Sequence, residues 1–214
     1  MSQHLQLVEL RTPLAAALVM TPAAVGGFIG GPLAGRLMHR VWPPALTFAA
    51  MSLAAASAWL IAALPPVQEG LAVVRLLLLT GIGLGIGASV TFASTTIMNA
   101  APPERGGMAA SIEEVGFELG GSLGVALFGS LMTIAYAASP ALPEVPGLPP
   151  QVRDSLDEAM RVADGLAGDA AETLRAAARS ALAQAMRVVM AGVGLLWFAT
   201  GLLVAGTRRP AARS

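Results

Sequence analysis

Five long apolar stretches constrain what this chain can fold into. A helix of about 20 apolar residues crosses the hydrocarbon core of a bilayer, and five segments of the sequence reach that length. Prolines, glycines and charged residues separate them. The predicted spans are residues 13–35, 44–64, 71–98, 109–137 and 182–206. We therefore expect an all-α, polytopic membrane protein with five transmembrane helices.

The composition agrees with a membrane protein and excludes several other classes. Hydrophobic residues make up 55% of the 214 residues and charged residues only 12%, which does not suit a water-soluble globule. Acidic and basic residues balance at 13 each, without a basic cluster that would bind nucleic acid. The absence of cysteine excludes disulfides and cysteine-ligated metals. We expect neither an enzyme nor a cofactor.

Charged and proline-rich segments predict five regions along the chain. Residues 1–12 resemble the end of a preceding helix and its loop, 13–138 form a four-helix membrane part, and 139–180 form an outer loop. Residues 181–206 are the last transmembrane helix, and 207–214 are a cytoplasmic tail. Apolar residues recur at helical spacing along 152–163 and 174–181, which predicts two short amphipathic helices, the second continuing into the last span. The alternative is a solvated linker, since most of these residues are small.

Arginine positions predict the orientation in the membrane. Short cytoplasmic loops are enriched in Lys and Arg. Arg36, Arg40 and Arg105 lie in the first and third joints, and three more arginines lie in the C-terminal tail. All of them lie on one side if the helices alternate in direction. We therefore expect a multi-pass protein of the inner (plasma) membrane with a cytoplasmic C-terminus and residues 139–180 outside.

Glycines recur in four-residue steps within several predicted spans. Small residues at this spacing let helix backbones approach closely in lipid. The pattern predicts a tightly packed bundle, and it does not decide the function, because many polytopic proteins have it. The predicted helix-packing positions are Gly27, Gly31, Gly35, Gly81, Gly85, Gly116, Gly120 and Gly124.

Three glutamates inside the fourth predicted span are the main candidates for function. A charged acid at the centre of a transmembrane helix costs about 2.5–3.5 kcal/mol on insertion scales, so it needs a polar cavity, a partner or a proton. On a helix, Glu114 and Glu118 share a face, and Glu113 is rotated by about 100° from Glu114. Two structural alternatives remain. Glu113 and Glu114 can lie near the helix N-terminus, where the dipole favours acids, and Glu118 can be a neutral acid that bonds a neighbouring helix.

The run from Gly81 to Thr133, GIGLGIGASVTFASTTIMNAAPPERGGMAASIEEVGFELGGSLGVALFGSLMT, resembles the C-terminal half of the major facilitator superfamily. It is most similar to the fourteen-helix drug:proton antiporters that export quaternary ammonium compounds and other lipophilic cations. Its most specific part is EEVGFELGGSLGVALFGS, residues 113–130. Residues 2–37 are also similar to this family, so the five spans correspond to helices ten to fourteen.

The resemblance implies the C-terminal portion of a proton-coupled multidrug exporter, with an incomplete major facilitator fold that is inactive alone. The implied partners are the lipid bilayer, a missing N-terminal half and, in the complete protein, protons and lipophilic cations. The resemblance assigns cation recognition or proton coupling to Glu113 and Glu114, whereas depth in the membrane favours Glu118. The alternative function is a non-transporting membrane subunit that assembles with a separate N-terminal half.

Overall fold

The computed structural model of the protein describes residues 12–65, 69–142 and 149–206, and all regular structure within them is helical. The six α-helices are α1 (Pro13–Leu37), α2 (Pro43–Ala63), α3 (Ala72–Ala100), α4 (Gly106–Ala137), α5 (Leu156–Asp164) and α6 (Asp169–Ala205). All except α5 are long and apolar enough to cross a membrane. The predicted all-α fold with five such helices is confirmed. The predicted remnant before Thr12 and the predicted tail after Gly206 lie outside the described residues.

Prolines, side-chain caps and short turns mark the points where the helices begin. The Thr12 hydroxyl accepts a hydrogen bond from the Ala15 backbone N–H at 3.3 Å, and Pro13 occupies the first helical position of α1. A 3₁₀ turn, Pro103–Arg105, leads directly into α4, which therefore begins at Gly106 rather than at residue 109. The second helix predicted in the loop and the last span form one continuous helix, α6, which begins at Asp169.

Helices α1 and α3 pack with their backbones in contact. A Cβ built on Gly26 would overlap the carbonyl oxygen of Thr80, and one built on Gly30 would overlap that of Leu84. Only glycine permits an approach this close. Because the contacts advance along both helices together, α1 and α3 are parallel.

Helix α2 lies against the other side of α3 and runs antiparallel to it. A Cβ on Gly81 would lie 2.5 Å from the Ser57 hydroxyl, and one on Gly85 would lie 2.7 Å from the Ala54 Cβ. The order of the contacts is therefore reversed between the two helices. Successive spans therefore alternate in direction across these contacts, which places the ends of α1 and α3 at the same end of the bundle.

Aromatic side chains hold α2 against α6. The indole N–H of Trp59 donates to the carbonyl oxygen of Ala191 at 3.0 Å, and Gly194 leaves the space that the indole occupies. The ring of Phe198 lies 5.9 Å from those of Trp59 and Phe48, in tilted arrangements that favour aromatic pairs. The most extensive contacts between the spanning helices thus join α1 with α3, α3 with α2, α2 with α6 and α6 with α4, and α4 also contacts α3.

The predicted packing glycines divide into two groups. Four lie where an added Cβ would contact a neighbouring helix, namely Gly27, Gly31, Gly81 and Gly85. The other four have no atom of the described chain within 4 Å of an added Cβ, namely Gly35, Gly116, Gly120 and Gly124. The packing role of the second group stays a prediction, since their faces are uncovered here.

A small cap, defined here as residues 138–142 and 149–168, lies at one end of the bundle against the first turns of α6. The Ser155 hydroxyl accepts from the Glu158 N–H at 3.2 Å and begins α5. Apolar stripes along 152–163 and 174–181 were the basis for predicting two amphipathic helices. These two stripes meet in the core of the cap. That core is formed by Tyr136, Leu142, Val152, Leu156, Ala159, Ala163, Leu174, Ala178, Ala181 and Ala185.

Hydrogen bonds of the cap connect the end of α4 to α6. The Arg153 guanidinium donates to the carbonyl oxygens of Ala137 at 2.8 Å and Leu142 at 3.3 Å. The Ser139 hydroxyl donates to the side-chain oxygen of Gln184 at 2.8 Å. A cation at the carbonyl end of α4 also complements the helix dipole. The cap is therefore attached both to α4 and to the extension of α6.

Arg153→Ala is expected to loosen this end of α4. The variant loses two charge-assisted hydrogen bonds, and we expect a loss of about 2 kcal/mol in the local free energy of opening. Hydrogen exchange of the last amides of α4 should then accelerate about 30-fold. Arg161→Ala is the matched control, because Arg161 forms an exposed ion pair with Glu158 and should change exchange little. If these amides exchange at equal rates in the two variants, Arg153 does not stabilise the end of α4.

Candidate functional site

The three glutamates lie in the half of α4 that is remote from the cap. Because α4 begins at Gly106, Glu113 is about 10 Å and Glu118 about 18 Å along the helix axis from its start. The first turn of α4 contains no acid. The favourable effect of the helix dipole is confined to that turn. The dipole therefore does not explain these glutamates.

The glutamates occupy two different faces of α4. Glu113 is half-buried and falls on the same helical stripe as the buried Ala109 and the half-buried Leu131. This stripe faces the rest of the chain, since an added Cβ on Gly192 of α6 would lie 3.2 Å from the Leu131 side chain. Glu114 and Glu118 are exposed and lie about 100° and 140° further round the helix. The structure therefore groups Glu114 with Glu118 and separates Glu113 from them.

No group in the described ranges forms an ion pair or a hydrogen bond with the carboxylates of Glu113, Glu114 or Glu118. α4 is also the least covered of the five spanning helices. Only 6% of its most apolar 18-residue stretch is buried, against 17–33% for the corresponding stretches of the other four helices. Two carboxylates thus lie on a long apolar helix whose surface is left open by the other residues that the structure describes.

An open groove runs along α4 beside Glu118. The groove is a shallow and open depression in the surface of a single helix, so it does not enclose a ligand by itself. Its lining residues are Phe117, Glu118, Gly121, Ser122, Val125 and Ala126. Most of the lining is apolar, and Glu118 supplies the one charge. Apart from Glu118, none of these residues was predicted to bind a substrate, although Phe117, Gly121 and Val125 recur at the four-residue spacing that marks one face of a helix.

Residues 120–124 read Gly-Gly-Ser-Leu-Gly, which matches the G-x-S-x-G spacing of a hydrolase nucleophile elbow. That motif acts only on a sharp turn from a strand to a helix, where the serine is exposed at the top of a sheet. Here the five residues lie inside the continuous helix α4. Ser122 is therefore a polar side chain of the groove and has no nucleophile geometry.

Comparison with characterised proteins finds relatives that are longer than this chain, while no family model matches it. The chain is 33% identical over 209 residues to the methyl viologen resistance protein SmvA of Salmonella typhimurium, covering 94% of this chain and 41% of that protein. It is 30% identical over 169 residues to the multidrug efflux pump LfrA of Mycolicibacterium smegmatis, covering 78% and 32% respectively. It is 29% identical over 129 residues to the tetracenomycin C resistance and export protein of Streptomyces glaucescens, covering 60% and 24%.

These relatives are named for drug resistance or efflux and not for enzymatic activity. The chain spans about two fifths of the length of the first and about a third of the second. With its five long apolar helices, the chain is a multi-pass membrane protein that is similar, over most of its length, to part of several drug-resistance and efflux proteins.

Proposed function

We propose that this chain forms the C-terminal membrane part of a proton-coupled exporter of lipophilic cations, of the major facilitator type. The observation that carries the proposal is the open face of α4, where Glu114 and Glu118 have no partner among the described residues and lie beside an apolar groove. The similarity to resistance and efflux proteins supports the same reading. The rest of the exporter would cover this face and close a cavity around the two carboxylates.

The proposed mechanism follows from the cost of burying a carboxylate. In a closed cavity of low dielectric constant, an ionised acid without a partner is unstable, whereas a protonated acid or one paired with a cation is tolerated. A proton and a cationic drug therefore exclude each other at Glu114 and Glu118. If the cavity opens to the two sides of the membrane in turn, entry of a proton releases the drug on the outer side. Phe117 and Val125 would contribute the apolar surface that a lipophilic cation needs.

The proposed orientation places the arginine-bearing joints in the cytoplasm and the cap outside. Arg36 lies in the last turn of α1, and Arg105 lies directly before α4. These helix ends are at the same end of the bundle because successive spans alternate in direction. Among the short joints, those at this end carry Arg36, Arg40 and Arg105, whereas the joint between α2 and α3 carries no arginine. This asymmetry supports a cytoplasmic location for the arginine-bearing end.

The proposal is tested by a chimaera in which this chain replaces the matching 41% of the methyl viologen resistance protein. We expect cells that lack their own pump to tolerate more methyl viologen when they express the chimaera than when they express either part alone. Export should stop when the proton gradient is collapsed. A chimaera that reaches the membrane in normal amounts and exports no cation would contradict the proposal.

A second candidate is a non-transporting membrane subunit that assembles with a separate N-terminal half. The open face of α4 favours it, since such a surface requires cover from another set of helices. Recovery of a stable complex with such a half, without cation export, would support this candidate. Rapid proteolysis of this chain with no partner recovered would count against it.

A further inference from the structure

The groove on α4 has a notch in its floor. Its lining residues form two rows at four-residue spacing along the helix, Phe117, Gly121 and Val125 in one and Glu118, Ser122 and Ala126 in the other. In the first row, a glycine stands between two large apolar side chains. No atom of the described residues lies within 4 Å of a Cβ built on Gly121. The helix backbone is therefore open to a ligand at this point.

The shape of the notch favours a flat ligand. Phe117 and Val125 are eight residues apart, about 12 Å along the helix axis. A planar ring can lie on the backbone at Gly121 and stack against Phe117, whose side chain is 47% exposed. A cationic ring gains a further attraction to the face of Phe117. The carboxylate of Glu118, in the adjacent row, lies beside the same space and complements the charge.

We propose that Phe117 and Gly121 make this site selective for flat aromatic cations over tetrahedral lipophilic cations of similar charge. This inference rests on the proposed function and adds the molecular shape of the preferred substrate. A tetrahedral cation holds its rings away from the helix, so it contacts Glu118 but cannot enter the notch. The selectivity is a property of α4 and does not require the helices that would cover the groove.

The test measures binding to the chain in lipid nanodiscs, with empty nanodiscs as the blank. The probes are ethidium, a flat aromatic cation followed by fluorescence anisotropy, and tetraphenylphosphonium, a tetrahedral cation followed by equilibrium dialysis. Gly121→Leu fills the notch, and Phe117→Leu removes the aromatic face. Gly120→Leu is the matched control, because Gly120 is equally open and lies about 100° away. We expect the first two variants to weaken ethidium binding about tenfold and tetraphenylphosphonium binding less than twofold, and the control to change neither.

The selectivity is refuted if Gly121→Leu and Gly120→Leu have equal effects, if both probes weaken equally, or if the wild-type chain binds tetraphenylphosphonium alone. Glu118→Gln and Glu114→Gln separate this result from the proposed function. Loss of both cations in the glutamine variants, together with a silent Gly121→Leu, would reject the notch and keep the carboxylate site. Unchanged binding of both cations in the glutamine variants would reject the carboxylate site. No binding of either cation by the wild-type chain would reject the notch, because its selectivity is proposed to need no covering helices.

Discussion

Glu118→Gln in the complete exporter is expected to lower transport of a dicationic dye at least about tenfold, with little change for a neutral dye. Glutamine keeps the size of the side chain but can neither balance a cation nor exchange a proton. Loss of one charge-assisted contact in a closed site exceeds the roughly 1.4 kcal/mol that corresponds to a factor of ten. Glu114→Gln should act in the same direction, since Glu114 shares the face of Glu118. Efflux of preloaded dye from cells that express the chimaera measures both effects.

Two other glutamates provide the controls for this prediction. Glu104 is exposed in the turn before α4, and Glu104→Gln should leave the export of both dyes unchanged. Glu113 lies on the face of α4 that is turned toward the rest of the chain, and Glu113→Gln should have a smaller effect than Glu118→Gln. Export of both dyes at wild-type rates by Glu118→Gln would remove that residue from the mechanism. A larger effect at Glu113 would favour the assignment that the family resemblance implies.

Among the described glycines, Gly83→Ala is expected to produce the largest loss of stability. A Cβ at this position would overlap the carbonyl oxygen of Ala23 and lie 2.8 Å from the backbone nitrogen of Gly27. Neither atom belongs to a side chain that can rotate away, so α1 and α3 must separate. We expect the free energy of unfolding to fall by about 3 kcal/mol. Unfolding in a titration with a denaturing detergent, followed by tryptophan fluorescence, measures the change.

Gly116→Ala is the control for the stability experiment. It adds the same methyl group to a spanning helix, but no described atom lies within 4 Å of the added Cβ. Alanine is favoured over glycine in a helix by about 1 kcal/mol, so the control should be as stable as the wild-type chain or more stable. Equal losses in Gly83→Ala and Gly116→Ala would show that close packing of α1 on α3 does not limit stability.

The spans could be predicted from the sequence because bilayer thickness imposes a minimum apolar length. The prediction 44–64 differs by only one residue at each end from the observed Pro43–Ala63. The cap core could also be predicted in part, because its two stripes repeat at helical spacing. The role of Arg153 could not, because its partners are backbone carbonyls 11 and 16 residues away, and every residue type has such a carbonyl.

Paired glycines limited what the sequence could indicate about packing. Gly26 with Gly27 and Gly30 with Gly31 offer two rows at four-residue spacing, rotated by about 100° from each other. The spacing predicted packing through Gly27 and Gly31. An added Cβ would overlap the backbone of α3 at Gly26 and Gly30, whereas one on Gly27 would lie 3.6 Å from the Gly83 carbonyl oxygen. The faces of the glutamates were predictable relative to one another. Which face is covered depends on tertiary contacts that no local pattern encodes.

The continuous helix α6 has a mechanical consequence for the cap. Its 37 residues give a length of about 55 Å, while the hydrocarbon core is about 30 Å thick. Roughly 25 Å of the helix therefore extends beyond the core, and α5 packs against this extension. Because a helix is stiff, a tilt of about 10° within the membrane displaces the far end by several ångströms. A tilt of α6 would therefore displace α5 further than the part of α6 inside the bilayer, so a spectroscopic label on α5 would report tilts that are too small to detect within the bilayer.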